Sequence, residues 1–107
     1  MRIYISGQIS GKDNFPEDFQ KAECWLKLND YQPINPAKFN NVLPKLDYKD
    51  YMAIDYKLID LCDGIYMLDG WQKSKGACAE LSYAKSLGKK VIYQKYFKEF
   101  RNVPHKI

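Results

Sequence analysis

The sequence predicts an α/β protein: a three-layer α/β/α sandwich around a four- or five-stranded parallel sheet. Three observations predict it. Short apolar runs at residues 2–5, 31–36, 65–68 and 89–93 have strand character. Longer segments of helical period separate them, and the order β-α-β-α-β-α-β is that of crossover-connected parallel strands. Finally, residues 69–80 place a glycine-bearing loop and a helix N-terminus directly after a buried strand. Open α/β sheets build ligand sites in that way, at the carboxyl ends of their strands.

Arg2-Ile3-Tyr4-Ile5 is the first strand, and Ser6-Gly7-Gln8-Ile9-Ser10-Gly11 is its loop. Ile9 occupies the second glycine position of a GxGxxG pattern, so a dinucleotide fingerprint is absent. The loop still offers amides and the hydroxyls of Ser6 and Ser10 to a sugar or phosphate, although glycine and serine are ordinary loop residues. Asn14-Phe15-Pro16-Glu17 reads as a helix start with a capping box. Phe15, Phe19, Ala22 and Leu26 then face the core, while Asp18, Lys21 and Lys27 face water. Asn29-Asp30 ends this helix, and a short second strand follows, closed by Pro36. Asn35, at its carboxyl end, is either a hydrogen-bonding group for a ligand or a turn former. Residues 37–46 have no clear period and form a mobile loop over a site or a plain connection. The helical pattern returns over residues 47–62, with Tyr51, Ile54, Leu58 and Leu61 as its apolar face. Asp55 lies at the edge of that face, as a solvated flank or as a carboxylate leaning over a neighbouring strand end.

Asp63-Gly64 turns the chain into the buried strand Ile65-Tyr66-Met67-Leu68. Ser74 then reads as an N-cap, leaving the amides of Lys75, Gly76 and Ala77 as an anion seat reinforced by the helix dipole. Ala77, Leu81, Ala84 and Leu87 bury one face of the helix. Glu80 stands four residues after Gly76 and so on the same face. A glycine there removes a side chain that would stand between a ligand and the carboxylate. Taken alone, Glu80 reads as an exposed helix glutamate; in this setting it is a candidate for chemistry. Leu87-Gly88 closes the helix, and the fourth strand has a basic lead-in. The arrangement is flavodoxin-like or Rossmann-like in type.

A chain of 107 residues, 46% hydrophobic and 28% charged, has the size and balance of one soluble domain. The domain spans residues 1–93, and residues 94–107 form a basic aromatic tail. The cysteines Cys24, Cys62 and Cys78 show no CxxC spacing and His105 is the single histidine, which excludes a structural zinc site. Cys24 and Cys62 are expected as small buried hydrophobes. No metal or cofactor is called for. The apolar opening is too short for a secretory h-region, and no apolar run approaches the ~18 residues of a membrane span, so the expected location is the cytoplasm. Lys89, Lys90, Lys95, Lys98, Arg101 and Lys106 stand against Glu99 alone, so the basic balance belongs to the C-terminal end. Such a tail, interleaved with Tyr93, Tyr96, Phe97 and Phe100, suits nucleic acid. The reading preferred over it is a solvated end whose aromatics pack on the body or on a second subunit.

Taken together, these residues resemble the nucleoside 2-deoxyribosyltransferase-like superfamily, and within it the small DUF4406 branch. The resemblance rests on Ile3-Tyr4-Ile5-Ser6-Gly7 with Gly11, on Asn35-Pro36, Asp55 and Asp63, then on Gly70-Trp71, Ser74, Gly76-Ala77 and Glu80, and last on Ala84 and Leu87-Gly88. It covers residues 2–93. It implies a flavodoxin-like sheet, a homo-oligomer, and cleavage of the N-glycosidic bond between a base and a (deoxy)ribose. By position it makes Glu80 the nucleophile at the anomeric carbon and Asp55 the group that handles the base and its proton. It also implies that Tyr4, Ser6 and Gly7 line the sugar–base pocket. The chemistry agrees, because an oxocarbenium-like centre needs a carboxylate beside it and the leaving base needs a proton donor. Capture by a second base gives a transferase, capture by water a hydrolase; an anion seat at residues 74–77 favours a nucleoside 5′-monophosphate over a nucleoside. Two departures stand out. Gln8 sits where an arginine or lysine would grip a phosphate, and Asp69 precedes Gly70-Trp71 where many relatives have proline. Asp69 is a ligand for a sugar hydroxyl or a turn residue, and Trp71 stacks on a base or closes the pocket against the core. Asn35, Gly70, Ser74 and Gly76 complete the expected substrate-binding set. The competing reading is a non-catalytic nucleotide-binding or sensing module.

Overall fold

The alternation of strand β1, Arg2–Ser6, sets the plan of the molecule. Successive side chains of a strand point to opposite faces, so Ile3 and Ile5 lie on one side of the sheet and Tyr4 and Ser6 on the other. All four are fully buried. A computed structural model describes residues 1–94 of the chain. In it β1 is flanked by β2, Gln32–Ile34, and β3, Gly64–Met67, with β4, Lys90–Tyr93, outside β3. Every neighbouring pair is parallel, with Tyr4 in register with Ile34 and Ile65, and Ser6 with Met67.

Three helices make the crossovers: α1, Phe15–Leu28; α2, Tyr48–Asp60; and α3, Lys75–Ser86. Helix α1 seats Phe19, Ala22 and Leu26 on Ile3, Ile5, Tyr66 and Leu68. On the opposite face, Ile59 of α2, the following Cys62, and Ala77, Leu81 and Ala84 of α3 pack on Tyr4, Ile65 and Met67. The fold is therefore the expected α/β/α sandwich, with four parallel strands. A parallel sheet covered on both faces explains why its strands read as unbroken apolar runs.

Several local expectations give way to tertiary packing. Asn14 makes no side-chain cap, because its backbone is not extended (φ −97°, ψ 23°). The α1 entry instead has a proline in its first turn and an ion pair from Lys12 to Asp18 at 2.9 Å. Residues 36–41 form a 3₁₀ helix, Pro36–Asn41, capped by Asn35, whose side chain accepts from the Ala37 amide. Buried Glu23 ties this segment to α1 through Asn35 at 3.0 Å and Lys38 at 2.8 Å. The most buried stripe of α2 is Met52 and Ile59, with Asp55 between them and Cys62 beyond; of the expected face, Tyr51 lines the pocket and Leu58 packs at the edge of the core, while Leu61 is 56% exposed. Leu87 likewise points outward, and Cys24 is exposed while Cys62 is buried. No helix among the described residues is long and apolar enough to cross a membrane. Apart from Gln94, the basic aromatic tail lies outside the described residues.

Candidate active site

The strand order 2-1-3-4 reverses its winding between β1 and β3, and an open α/β sheet has its crevice at the carboxyl ends of the strands on either side of such a point. A pocket of about 370 Å³ is lined by residues of β1 and its loop, the first half of α2 and the N-terminal turns of α3. Gly7 lets the β1 loop pass over the end of β3. A Cβ on Gly7 would lie 2.6 Å from Leu68 Cδ1 and 2.8 Å from Leu68 Cβ, closer than real side chains approach.

Glu80 is buried in the lining, on the same helical stripe as Ala77, Leu81 and Ala84. Both of its oxygens have donors. Ser6 Oγ donates to Oε1 at 2.6 Å and the Tyr4 hydroxyl donates to Oε2 at 3.0 Å. Tyr4 and Ser6 reach the same carboxylate because they are two apart on one strand and share a face. Asp55 comes down from α2, half-buried and within hydrogen-bond reach of both Glu80 and Tyr4.

Burial dominates the electrostatics. It pushes the Glu80 carboxyl well above the usual carboxylate range, and Asp55 pushes it in the same direction by hydrogen bond and by charge. The hydrogen bonds from Ser6 and Tyr4 oppose the shift. Asp55 is also raised, chiefly by burial, against its hydrogen bonds with Glu80 and Tyr4. The Tyr4 phenol is raised well above its ordinary value by burial and then by the two acids. A buried carboxyl and a half-buried one beside it oppose each other's ionisation, which favours one proton between the two. The arrangement can therefore offer a carboxylate and a proton to one bound molecule.

Of the other expected residues, Ser74 and Gly76 line the same pocket. Ser74 caps α3, its Oγ accepting from the Ala77 amide at 3.1 Å. That bond occupies one donor of the expected anion seat and leaves Lys75 and Gly76 as the first-turn amides without an intrahelical partner. Asn35, Asp69, Gly70 and Trp71 do not line the pocket. The Asn35 side chain is held by Glu23 and Ala37. Gly70 supplies a left-handed turn (φ 84°) that starts the short 3₁₀ helix Trp71–Lys73. The Asp69 amide donates to Gln94 Oε1 at 2.7 Å, and the Trp71 ring packs on the core beside Tyr93 at 6.2 Å.

The apolar and aromatic lining was not anticipated as a pocket wall. Ile9, Phe19, Pro36, Tyr48, Tyr51 and Met52 contribute to it. Tyr48 is half-exposed and carries the Lys75 ammonium over its ring at 5.5 Å. The signal available was the pair Tyr48 and Tyr51, three apart in the first turn of α2 and so on one face of it.

Residues 1–93 match the family described as Domain of unknown function (DUF4406). No curated protein matches the sequence. Among solved structures, the chain is similar to a 2-deoxyribosyltransferase from Bacillus psychrosaccharolyticus, with a TM-score of 0.66 at 21% identity over 87% of this chain and 71% of that one. A 2-deoxyribosyltransferase from Leishmania mexicana gives 0.66 at 24% identity over 86% of this chain and 62% of that one. A CMP N-glycosidase from Clostridium botulinum gives 0.62 at 19% identity over 87% and 70%. At these identities the likeness is one of fold, and the chain spans under two thirds of the Leishmania protein.

Proposed function

The chain belongs to the DUF4406 family, and from its site we propose that it cleaves or transfers at the N-glycosidic bond of a nucleoside or nucleoside 5′-monophosphate. The observation that carries this reading is Glu80, buried in the pocket with a donor on each oxygen and Asp55 beside it. Glu80 attacks the anomeric carbon as the bond to the base breaks, and the bond it forms makes a glycosyl ester. Asp55 gives the shared proton to the departing base. A second base then displaces the ester in a transferase, and water does so in a hydrolase, with Asp55 taking the proton back. The apolar wall of Ile9, Phe19, Pro36 and Met52 suits the faces of a planar base. The fold shared with 2-deoxyribosyltransferases and a CMP N-glycosidase supports the same reaction class. A homo-oligomer is part of this reading, as its family resemblance implies.

The test is incubation with a panel of nucleosides and their 5′-monophosphates, with free base followed by chromatography, for the native chain and Glu80→Ala. One observation favours the second reading, a nucleotide-binding or sensing module. Burial favours the neutral form of Glu80, and a neutral carboxyl donates a hydrogen bond but is a poor nucleophile. Tight binding of a panel member without any release of base would select that reading.

A further inference from the structure

We infer that Ser6 is a positioning residue that decides which member of the Glu80–Asp55 pair carries the shared proton: its hydroxyl holds Glu80 as the carboxylate and leaves the proton on Asp55. The pair needs such an asymmetry. A nucleophile must be ionised and the group that protonates the base must not be, whereas two carboxyls sharing one proton have no assignment of their own. Depth of burial sets the wrong preference, because Glu80 is 5% exposed and Asp55 is only half-buried, and the more buried acid keeps a proton more strongly.

Tyr4 donates to Glu80 Oε2 at 3.0 Å and pulls the same way, but it also lies beside Asp55, so its pull is divided. Ser6 makes the shorter and undivided bond. Its hydroxyl has one proton, and that proton goes to Glu80 Oε1 at 2.6 Å, the length of a charge-assisted O–H···O⁻ bond. Ser6 is 1% exposed, so water does not compete for it. The titratable groups coupled to Glu80 are Tyr4 of β1 and Asp55 and Tyr56 of α2, none of them a cation, and the Lys75 ammonium stands over the ring of Tyr48 in the pocket wall. The neutral donors Ser6 and Tyr4 are what favours a charged Glu80. Ser6 is the one directed at Glu80 alone.

The catalytic consequence rests on the function proposed above, but the position of the proton can be measured without turnover. The full chain is labelled with δ-¹³C glutamate and its carboxyl resonances are followed against pH; Glu17, Glu23, Glu80 and Glu99 are the only glutamates, and Glu80→Gln identifies the signal. The Glu80 midpoint rises by about one pH unit in Ser6→Ala, the scale of one lost charge-assisted hydrogen bond. Ser6→Thr, which keeps the hydroxyl, returns it to the parent value. Should Ser6→Ala not fold, Ser6→Cys, a weaker donor of similar size, shows the same upward shift. An unchanged midpoint in Ser6→Ala, or an equal shift in Ser6→Thr, overturns the inference. If the native chain releases base and these midpoints do not move, this inference fails and the proposed function stands. If the midpoints move and no base is released, the reverse holds.

Discussion

The Tyr4 hydroxyl donates to Glu80 Oε2 at 3.0 Å, joining the second residue of the central strand's buried core to a helix 76 positions later. Both residues are buried, and the bond fixes the second oxygen of a carboxylate whose first oxygen is held by Ser6. Tyr4→Phe keeps the ring and removes the donor. Its kcat for base release is expected to fall about 10²-fold with KM little changed, as for loss of one preorganised donor. Thermal unfolding checks that the core is intact, and a kcat within a factor of two or so of the parent would contradict this role for Tyr4.

Asp55→Asn removes the proton donor and the charge beside Glu80. Base release is expected to fall by about 10²–10⁴-fold, the usual scale of general acid catalysis. The acidic limb of the pH–rate profile moves to lower pH, because both effects of Asp55 on Glu80 raise its carboxyl. A limb that stays in place while the rate falls would show that Asp55 acts without sharing the Glu80 proton.

Glu80 and Glu23 make opposite predictions for stability. Glu80 titrates above its ordinary 4.5 in the folded chain, so the folded state binds more protons and stability declines as pH rises from about 4.5 upward. Glu80→Gln should therefore raise stability at pH 7 by about 1 kcal/mol or more, a gain that fades below pH 4.5. For Glu23, burial pushes upward, but hydrogen bonds from Lys38, Asn35 and Lys27 prevail and hold it at about 2. Its contribution is present above pH 4.5 and lost as pH falls through 2. Glu23→Gln should cost about 2 kcal/mol at pH 7. Denaturant titrations at pH 7 and pH 4 measure the Glu80 sign, and a third at pH 2 measures that of Glu23.

Two glycines of the site should respond differently to alanine. Gly7→Ala drives a methyl against Leu68, and a loss of about 1–3 kcal/mol is expected, partly recovered by adding Leu68→Ala. At Gly76 a Cβ meets nothing nearer than Met52 Sδ at 3.6 Å, ordinary contact, so the fold should be undisturbed. The methyl instead enters the pocket lining, and KM should rise. Equal stability losses in the two variants would contradict this contrast.

Much of this arrangement was legible in the residues, and the exceptions have physical causes. The alternation of Ile3-Tyr4-Ile5-Ser6 already sends Tyr4 and Ser6 to one face, and the Gly76–Glu80 spacing sends the carboxylate inward. Helix α2 is apolar around most of its circumference, so a stripe through Ile54 and Leu61 looks as good as one through Met52 and Ile59. Only packing decides, and it turns Asp55 from the edge of a face into the middle of the buried one. Asn35 held two readings that sequence alone could not separate. Glu23, 12 positions earlier, takes its amide into the brace of the 3₁₀ helix.

The central claim is that Glu80 forms a bond to the anomeric carbon. Base release from nucleosides and nucleoside 5′-monophosphates by the native chain, beside Glu80→Ala with ligand binding measured in parallel, tests it most directly. The account predicts release by the native chain from at least one member and a loss of about 10³-fold or more in Glu80→Ala, with binding retained. Release by Glu80→Ala at the native rate, or measurable binding with no release by the native chain from any member, would contradict it.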